Sequence, residues 1–228
     1  EMRVNVINFA SRNNFEINRV LHLDEDLHSE DFKGVDGNIV LGTMSIKSLE
    51  DLGLDSSNTI IVDNSNEYSS GYDKVTSDLY EATIANLKTL IEKGHKKIAF
   101  LGGSIFVKDM YKEELKVSED MRSKAYREFM MLHDFFDENL MVIGDWSSKD
   151  GNRMAKELVN RNVDFTAIVT ASDPIAIGAV HALREIGLKV PEDVSIISFD
   201  NIEASEFMSP PLSTVDLNSI ELGRQAIS

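Results

Sequence analysis

The sequence predicts an α/β protein, with parallel sheets flanked by helices and the chain divided into two lobes. Two patterns predict it. Short apolar runs, each closely bounded by polar residues or glycine, alternate with amphipathic stretches of helical period. Such alternation folds into parallel strands joined by right-handed crossovers. One polar, irregular stretch, residues 104–119, interrupts the rhythm just after Gly102-Gly103 and reads as a crossover between lobes.

The strand-like runs are residues 4–8, 37–41, 60–62, 98–101, 140–143, 167–170 and 194–199. Each is as short as a strand buried on both faces tends to be. Between them lie four well-signalled helices. Residues 78–93 place Ile84, Leu87 and Ile91 on one face and stop at Gly94. Residues 120–132 align Met121, Ala125, Phe129 and Leu132. Residues 149–161 follow Ser147-Ser148, which can cap, and bury Met154 and Leu158. The fourth opens with Asp173 as cap and Pro174 at the first helical position, carries Ala176, Val180 and Leu183, and ends at Gly187. The expected division is a first lobe of residues 1–103, to which 217–228 returns, and a second lobe of 104–216. Both ends look clipped: little more than a short strand precedes Gly37, and residues 219–228 read as a helix cut short.

Composition limits the chemistry. With 228 residues, 42% of them hydrophobic, the chain can bury a substantial core. It has no cysteine, which excludes disulfides, thiolate catalysis and cysteine-based zinc sites. No apolar run approaches a membrane span, and the first residues lack a signal-peptide pattern, so a cytoplasmic protein is expected. The formal net charge is −16. DNA affinity depends on neutralising phosphates, and no stripe of Lys and Arg is present, so this polypeptide alone is expected to bind DNA poorly.

In open α/β sheets ligands bind beyond the carboxyl ends of the strands. The residues there are Asp145 and Trp146, then Ser172 and Asp173, then Asp200 and Asn201, with Asp78 and Arg122 opening helices. They supply acceptors, one fork of donors and one flat ring. That set suits a sugar, whose hydroxyls pair with carboxylates and arginine and whose C–H face packs on an aromatic ring. Each residue has a plainer reading as well. Asp173 before Pro174 reads first as a helix cap, Asp78 equally as a cap, Trp146 as packing and Arg122 as a surface charge. Asp200 is the hardest to dismiss, because a carboxylate at that strand end points to where ligands sit. Catalytic patterns are poor. The five histidines have no metal-ligand spacing, no phosphate loop follows Gly102-Gly103, and Glu113-Glu114 and Glu119-Asp120 read as solvated loop charges. No metal or cofactor is expected, and no enzyme.

Residues 167–215 carry a distinctive series of motifs. A strand leads into Ser172-Asp173, then the Ala176-Ile177-Gly178-Ala179 helix and the stretch from Gly187 to Ser195, GLKVPEDVS. A second strand ends in Phe199-Asp200, and PPLSTV closes the series at Val215. Together with VDGNIVLG from Val35, GHKKIAFLGG from Gly94 and the Arg122 helix, this closely resembles the lactose/galactose repressor family, from roughly Val35 to the end of the chain. The resemblance implies a periplasmic-binding-protein-like fold with a ligand cleft between two lobes. It also implies a sugar or galactoside effector, a homodimer, and control of operator DNA by a helix-turn-helix domain that lies outside this chain. By the same resemblance Arg122 binds effector hydroxyls or carboxyls, Asp200 is the strand-end aspartate, Trp146 stacks on the sugar, Asp78 is a first-lobe acceptor, and Ser45 is a further first-lobe candidate. Ser172 replaces a common asparagine, Ala125 a common glycine, and Asn201 the second aspartate of a usual pair. Two other readings share features with this one: a solute-binding protein of a sugar transporter, which has the same fold, and a sugar hydrolase, which needs an acid–base pair the sequence does not offer.

Overall fold

In this computed structural model residues 2–22, 25–62, 71–107 and 116–227 are described. The helices in chain order are α1 (Met2–Arg12), α2 (Ile46–Asp51), α3 (Leu79–Glu92), α4 (Met121–Leu132), α5 (Ser148–Asn160), α6 (Asp173–Ile186), α7 (Glu203–Glu206) and α8 (Ser219–Gln225). The strands are β1 (Asn38–Leu41), β2 (Thr59–Val62), β3 (Asp73–Val75), β4 (Ile98–Gly103), β5 (Ile105–Val107), β6 (Lys116–Ser118), β7 (Met141–Gly144), β8 (Ala167–Thr170), β9 (Ser195–Phe199) and β10 (Ser213–Val215).

The chain divides into two units. The first comprises Glu1–Ser77, Ile105–Ser118 and Asn218–Ser228. Its parallel sheet has the order β1-β2-β3. Val40, Met44, Leu49, Leu52, Leu54 and Ile61 form one core cluster. Val62, Leu222 and Ala226 form another, with Ile39, Leu41 and Ile60 packed on it. Alternate residues of β1 and β2 thus serve opposite faces, as the two-residue period of a strand requires. Helices α1 and α8 pack together.

The expected strand at residues 4–8 lies inside α1 instead. The β-branched alternation of Val4 and Val6 imitates a strand, but Val6 and Ala10, four apart, are the buried pair. That helical spacing faces α8, where a side chain at Gly223 would press on the Asn5–Val6 backbone.

The second unit comprises Asp78–Ser104 and Glu119–Leu217. Residues 78–104 therefore group here and not with a first lobe ending at 103. The reason is β4, the strand between β7 and β8 in the parallel order β10-β9-β8-β4-β7. All six of its residues are buried. Within the stretch expected to be irregular, β5 and β6 pair antiparallel and group with the first unit. Glu113-Glu114 lies outside the described residues.

The four expected helices form here nearly as drawn. Helix α3 packs on α4, and α5 on α6. The closest approach is made by glycines: a Cβ at Gly178 would fall on the Ser148 carbonyl, and one at Gly151 on the Ile175 carbonyl. This gives the glycine of the Ala176–Ala179 motif a packing role. Gly187, at φ +92, ends α6 in the left-handed conformation that glycine adopts without strain.

Candidate functional site

The strand order of the second unit locates a switch point. From β4 the chain passes through α4 to β7 on one side; from β8 it passes through α6 to β9 on the other. Right-handed crossovers send these two connections to opposite faces of the sheet, which opens a crevice beyond the carboxyl ends of β4 and β8.

Arg122 spans that crevice. It is the second residue of α4, and its side chain is 9% exposed. Its Nη1 donates to the Ala171 carbonyl, just past β8, at 2.6 Å. Its Nε and Nη2 donate to Asp120 Oδ1 and Oδ2 at 2.7 and 2.8 Å. Two rings face the guanidinium, Trp146 at 4.9 Å and Phe199 at 5.7 Å from ring centroid to Cζ. Cation–π attraction and a two-toothed ion pair thus hold one flat cation in place.

Asp120 is no solvated loop charge. Its side chain is 2% exposed, caps α4 by accepting the Arg122 backbone N–H at 2.9 Å, and clamps the Arg122 side chain. An acidic residue two positions before an arginine at a helix start was the signal for it, hidden by the neighbouring Glu119.

Trp146 is half-buried, and its placement depends on β4. A Cβ at Gly103 would intrude on the indole, and Nε1 donates to the Ser104 carbonyl at 2.8 Å. The loop carrying it is tied by Asp150, which accepts from the Asp145 backbone N–H at 2.5 Å and pairs with Arg153. Hydrogen bonds from Arg153 hold the Asp150 carboxyl below the ordinary aspartate range, against the opposing effect of burial.

The remaining candidates divide. The cap of α6 is Ser172, not Asp173: the Ser172 hydroxyl faces the Ile175 N–H, and Asp173 is the first helical residue. Asp173 is fully buried and spends its carboxylate inside the unit, accepting the Ile202 N–H at 3.0 Å and the Thr214 hydroxyl at 2.7 Å. Thr214 in turn accepts the Asn201 N–H at 3.2 Å. Asp173 thus shapes the loop after β9, which corrects its expected place among effector groups. Asp200 opens that loop at φ +108, an uncommon conformation for a non-glycine residue, and its N–H donates to the Val215 carbonyl. Asp78, exposed, caps α3 through the Glu81 N–H at 3.0 Å and groups with the second unit, not the first. Ser45 caps α2 in the first unit through the Ser48 N–H at 3.2 Å.

The second unit therefore gathers Arg122 and Trp146, with Asp120, Phe199 and the Ala171 carbonyl as members that sequence reasoning did not single out. A separate cavity of about 1040 Å³ lies in the first unit, lined by α1, residues 14–22 and β1, and contains none of the candidate residues. It is an open space beside β1, and its charged lining residues, among them the Arg19–Asp31 pair at 3.7 Å, are largely exposed, unlike the buried Arg122–Asp120 pair. Among the described residues, no group of three or more His, Asp or Glu side chains could hold a metal, and no helix is long and apolar enough to cross a membrane.

Comparison with known proteins agrees with this architecture. Residues 87–228 match the family described as periplasmic binding protein-like domain. The HTH-type transcriptional regulator GanR of Bacillus subtilis is 32% identical over 195 residues, 84% of this chain and 58% of that protein. The structure of the transcription regulator CcpA of Lactococcus lactis superposes with a TM-score of 0.78 at 26% identity, over 99% of this chain and 82% of the other. A sugar-binding transcriptional regulator of the LacI family from Escherichia coli, solved with phosphate, gives 0.76 at 25% identity over 99% and 81%. The chain spans little more than half the length of the curated relatives such as GanR. It belongs to the periplasmic binding protein-like domain family, and its relatives are transcriptional regulators of the LacI type.

Proposed function

We propose that this chain is the effector-binding core of a sugar-responsive transcriptional repressor, and that the Arg122 crevice of the second unit receives the sugar. The observation that carries this reading is the immobilised guanidinium at the topological switch point, facing two rings. Donors fixed beforehand lose little freedom on binding, which favours hydroxyl recognition. Arg122 contacts the effector, Trp146 offers its remaining surface to the sugar's C–H face, and Asp200 accepts from hydroxyls. Asp78, at the start of α3 in the same unit, offers a further acceptor.

GanR is named as a helix-turn-helix regulator, and the E. coli relative as sugar-binding. By analogy the full protein reads operator DNA through a separate domain, works in the cytoplasm as a homodimer, and catalyses nothing. The net charge of −16 supports the separation, since this acidic polypeptide repels phosphates. The solute-binding reading shares the fold, but the named relatives are regulators.

Thermal unfolding against neutral hexoses, galactosides, hexose phosphates and purines tests the proposal. A ligand that binds only the folded form adds about 2.7 kcal/mol at a hundredfold excess over its Kd. One sugar class should raise the midpoint, and Arg122→Lys, which keeps the charge but loses the fork, should abolish most of the shift. A purine or no sugar raising the midpoint contradicts the reading. Turnover of a glycoside during incubation favours the hydrolase instead.

A further inference from the structure

We propose that Asp120 sets the charge preference of the Arg122 crevice, so that it admits neutral polyhydroxy ligands and turns away phosphorylated or carboxylated ones; this rests on the sugar-sensor reading and narrows it. A buried guanidinium with no partner attracts anions strongly, because its planar fork matches two oxygens of a phosphate or carboxylate. Here the chain has already supplied that match. Asp120 covers the Nε–Nη2 edge with both carboxylate oxygens, at 2.7 and 2.8 Å, and Nη1 is drawn to the Ala171 carbonyl.

The pair carries no net charge. Both side chains are more than nine-tenths removed from solvent, so water screens Asp120 only weakly. An anion arriving at Arg122 therefore meets a carboxylate on the same guanidinium. A hydroxyl meets no such repulsion, brings no charge, and needs only single donors and acceptors.

Capping α4 does not by itself require this residue. Ser147, Ser172 and Asn218 accept first-turn N–H groups at α5, α6 and α8 without carrying charge. Aspartate adds the second oxygen and the negative charge, and both go to Arg122. Asp173 does not share this task, since it is spent on Ile202 and Thr214.

The test is calorimetric titration of the wild type and Asp120→Asn with inorganic phosphate, neutral hexoses and hexose 6-phosphates. Asparagine keeps an acceptor for the cap and for Nε but removes the charge. Circular dichroism and the unfolding midpoint verify the fold, and Asp120→Ser, which also caps, serves if asparagine is not tolerated. The wild type should bind phosphate weakly or not at all and prefer a hexose to its phosphate. Asp120→Asn should bind phosphate at least about tenfold more tightly, with a smaller change for the neutral sugar, a shift in ratio that a purely structural role does not produce. Equal phosphate affinity in both proteins, no phosphate binding in either, or a wild type that prefers the hexose phosphate overturns the proposal. If the variant gains phosphate while no hexose binds the wild type, charge selection stands and the sugar-sensor reading falls; hexose binding with an unchanged phosphate ratio means the reverse.

Discussion

Arg122 and Asp120 form a pair that neither partner can leave cheaply. Removing one side of a buried ion pair strands the other, which typically costs about 3–5 kcal/mol. Arg122→Ala should therefore lower stability in urea by that order, with Asp120 left uncompensated. Replacing both residues by alanine should cost less than the sum of the two single changes, because the stranded charge is gone. Strict additivity in the double-mutant cycle contradicts the geometry of the pair.

A second residue gives a pH signature. Arg153's hydrogen bonds lower the Asp150 carboxyl from its ordinary value of 3.8. Arg153 also binds Glu157 at 2.8 Å, so the ion pair at Asp150 continues to a second carboxylate. A carboxyl depressed by folding stabilises the native state above its unfolded value, and that contribution is lost as pH falls through the folded one. The wild type should lose stability below about pH 4 more steeply than Asp150→Asn. Identical acid profiles for the two proteins contradict this.

Residue identity was only partly legible in the sequence. Arg122 and Trp146 stood out by type and position beyond strands. Asp120 did not, because beside Glu119 it looked like one more loop charge. Asp173 looked like a cap because aspartate before proline so often is one, yet the serine before it takes that part. Both residues are buried, and which of them caps the helix depends on partners such as Thr214, 41 positions away, which no local pattern encodes.

Elements were more legible where their spacing was unambiguous. The helices at α3, α4, α5 and α6 have long apolar faces and, for α3 and α6, a glycine stop at Gly94 and Gly187. The misread stretch was α1, where valines alternate with polar residues, so β propensity and helical spacing conflict. Gly178 tests the element scale. Alanine is the better helix former by about 0.8–1.0 kcal/mol, but its Cβ would press on the Ser148 carbonyl of α5. Overpacking should win, and Gly178→Ala should destabilise by about 1–3 kcal/mol in chemical denaturation. A neutral or stabilising result contradicts the close approach of α5 and α6. In the sheet, the Thr170 hydroxyl of β8 is buried and has no hydrogen-bond partner among the described residues. Thr170→Val should be neutral or stabilising, because it removes a desolvated group at equal shape. A loss beyond about 1 kcal/mol means the hydroxyl has a water partner.

At the scale of the whole molecule, parallel α/β architecture followed from the alternation of apolar runs and helices, and the motif series from 167 to 215 pointed to the family. The lobe boundary did not follow. Sequence rhythm broke at residue 104, but membership of β4 is decided by its neighbours β7 and β8, which come later in the chain. A central strand can be recognised only once its partners are known. The antiparallel pair of β5 and β6 produced the break in rhythm, and the sheet continues on either side of it.

The central claim is that a sugar enters the crevice where Trp146 faces Arg122. Trp146 is the single tryptophan of the chain, so its fluorescence reports on that place alone. The direct measurement is its emission during titration with the sugar that raises the unfolding midpoint. The account predicts a saturable change in emission at the calorimetric Kd, weakened at least about tenfold in Arg122→Lys by loss of a charge-assisted hydrogen bond. A sugar that binds by calorimetry yet leaves the emission of Trp146 unchanged, with equal affinity in Arg122→Lys, would place the effector elsewhere and contradict it.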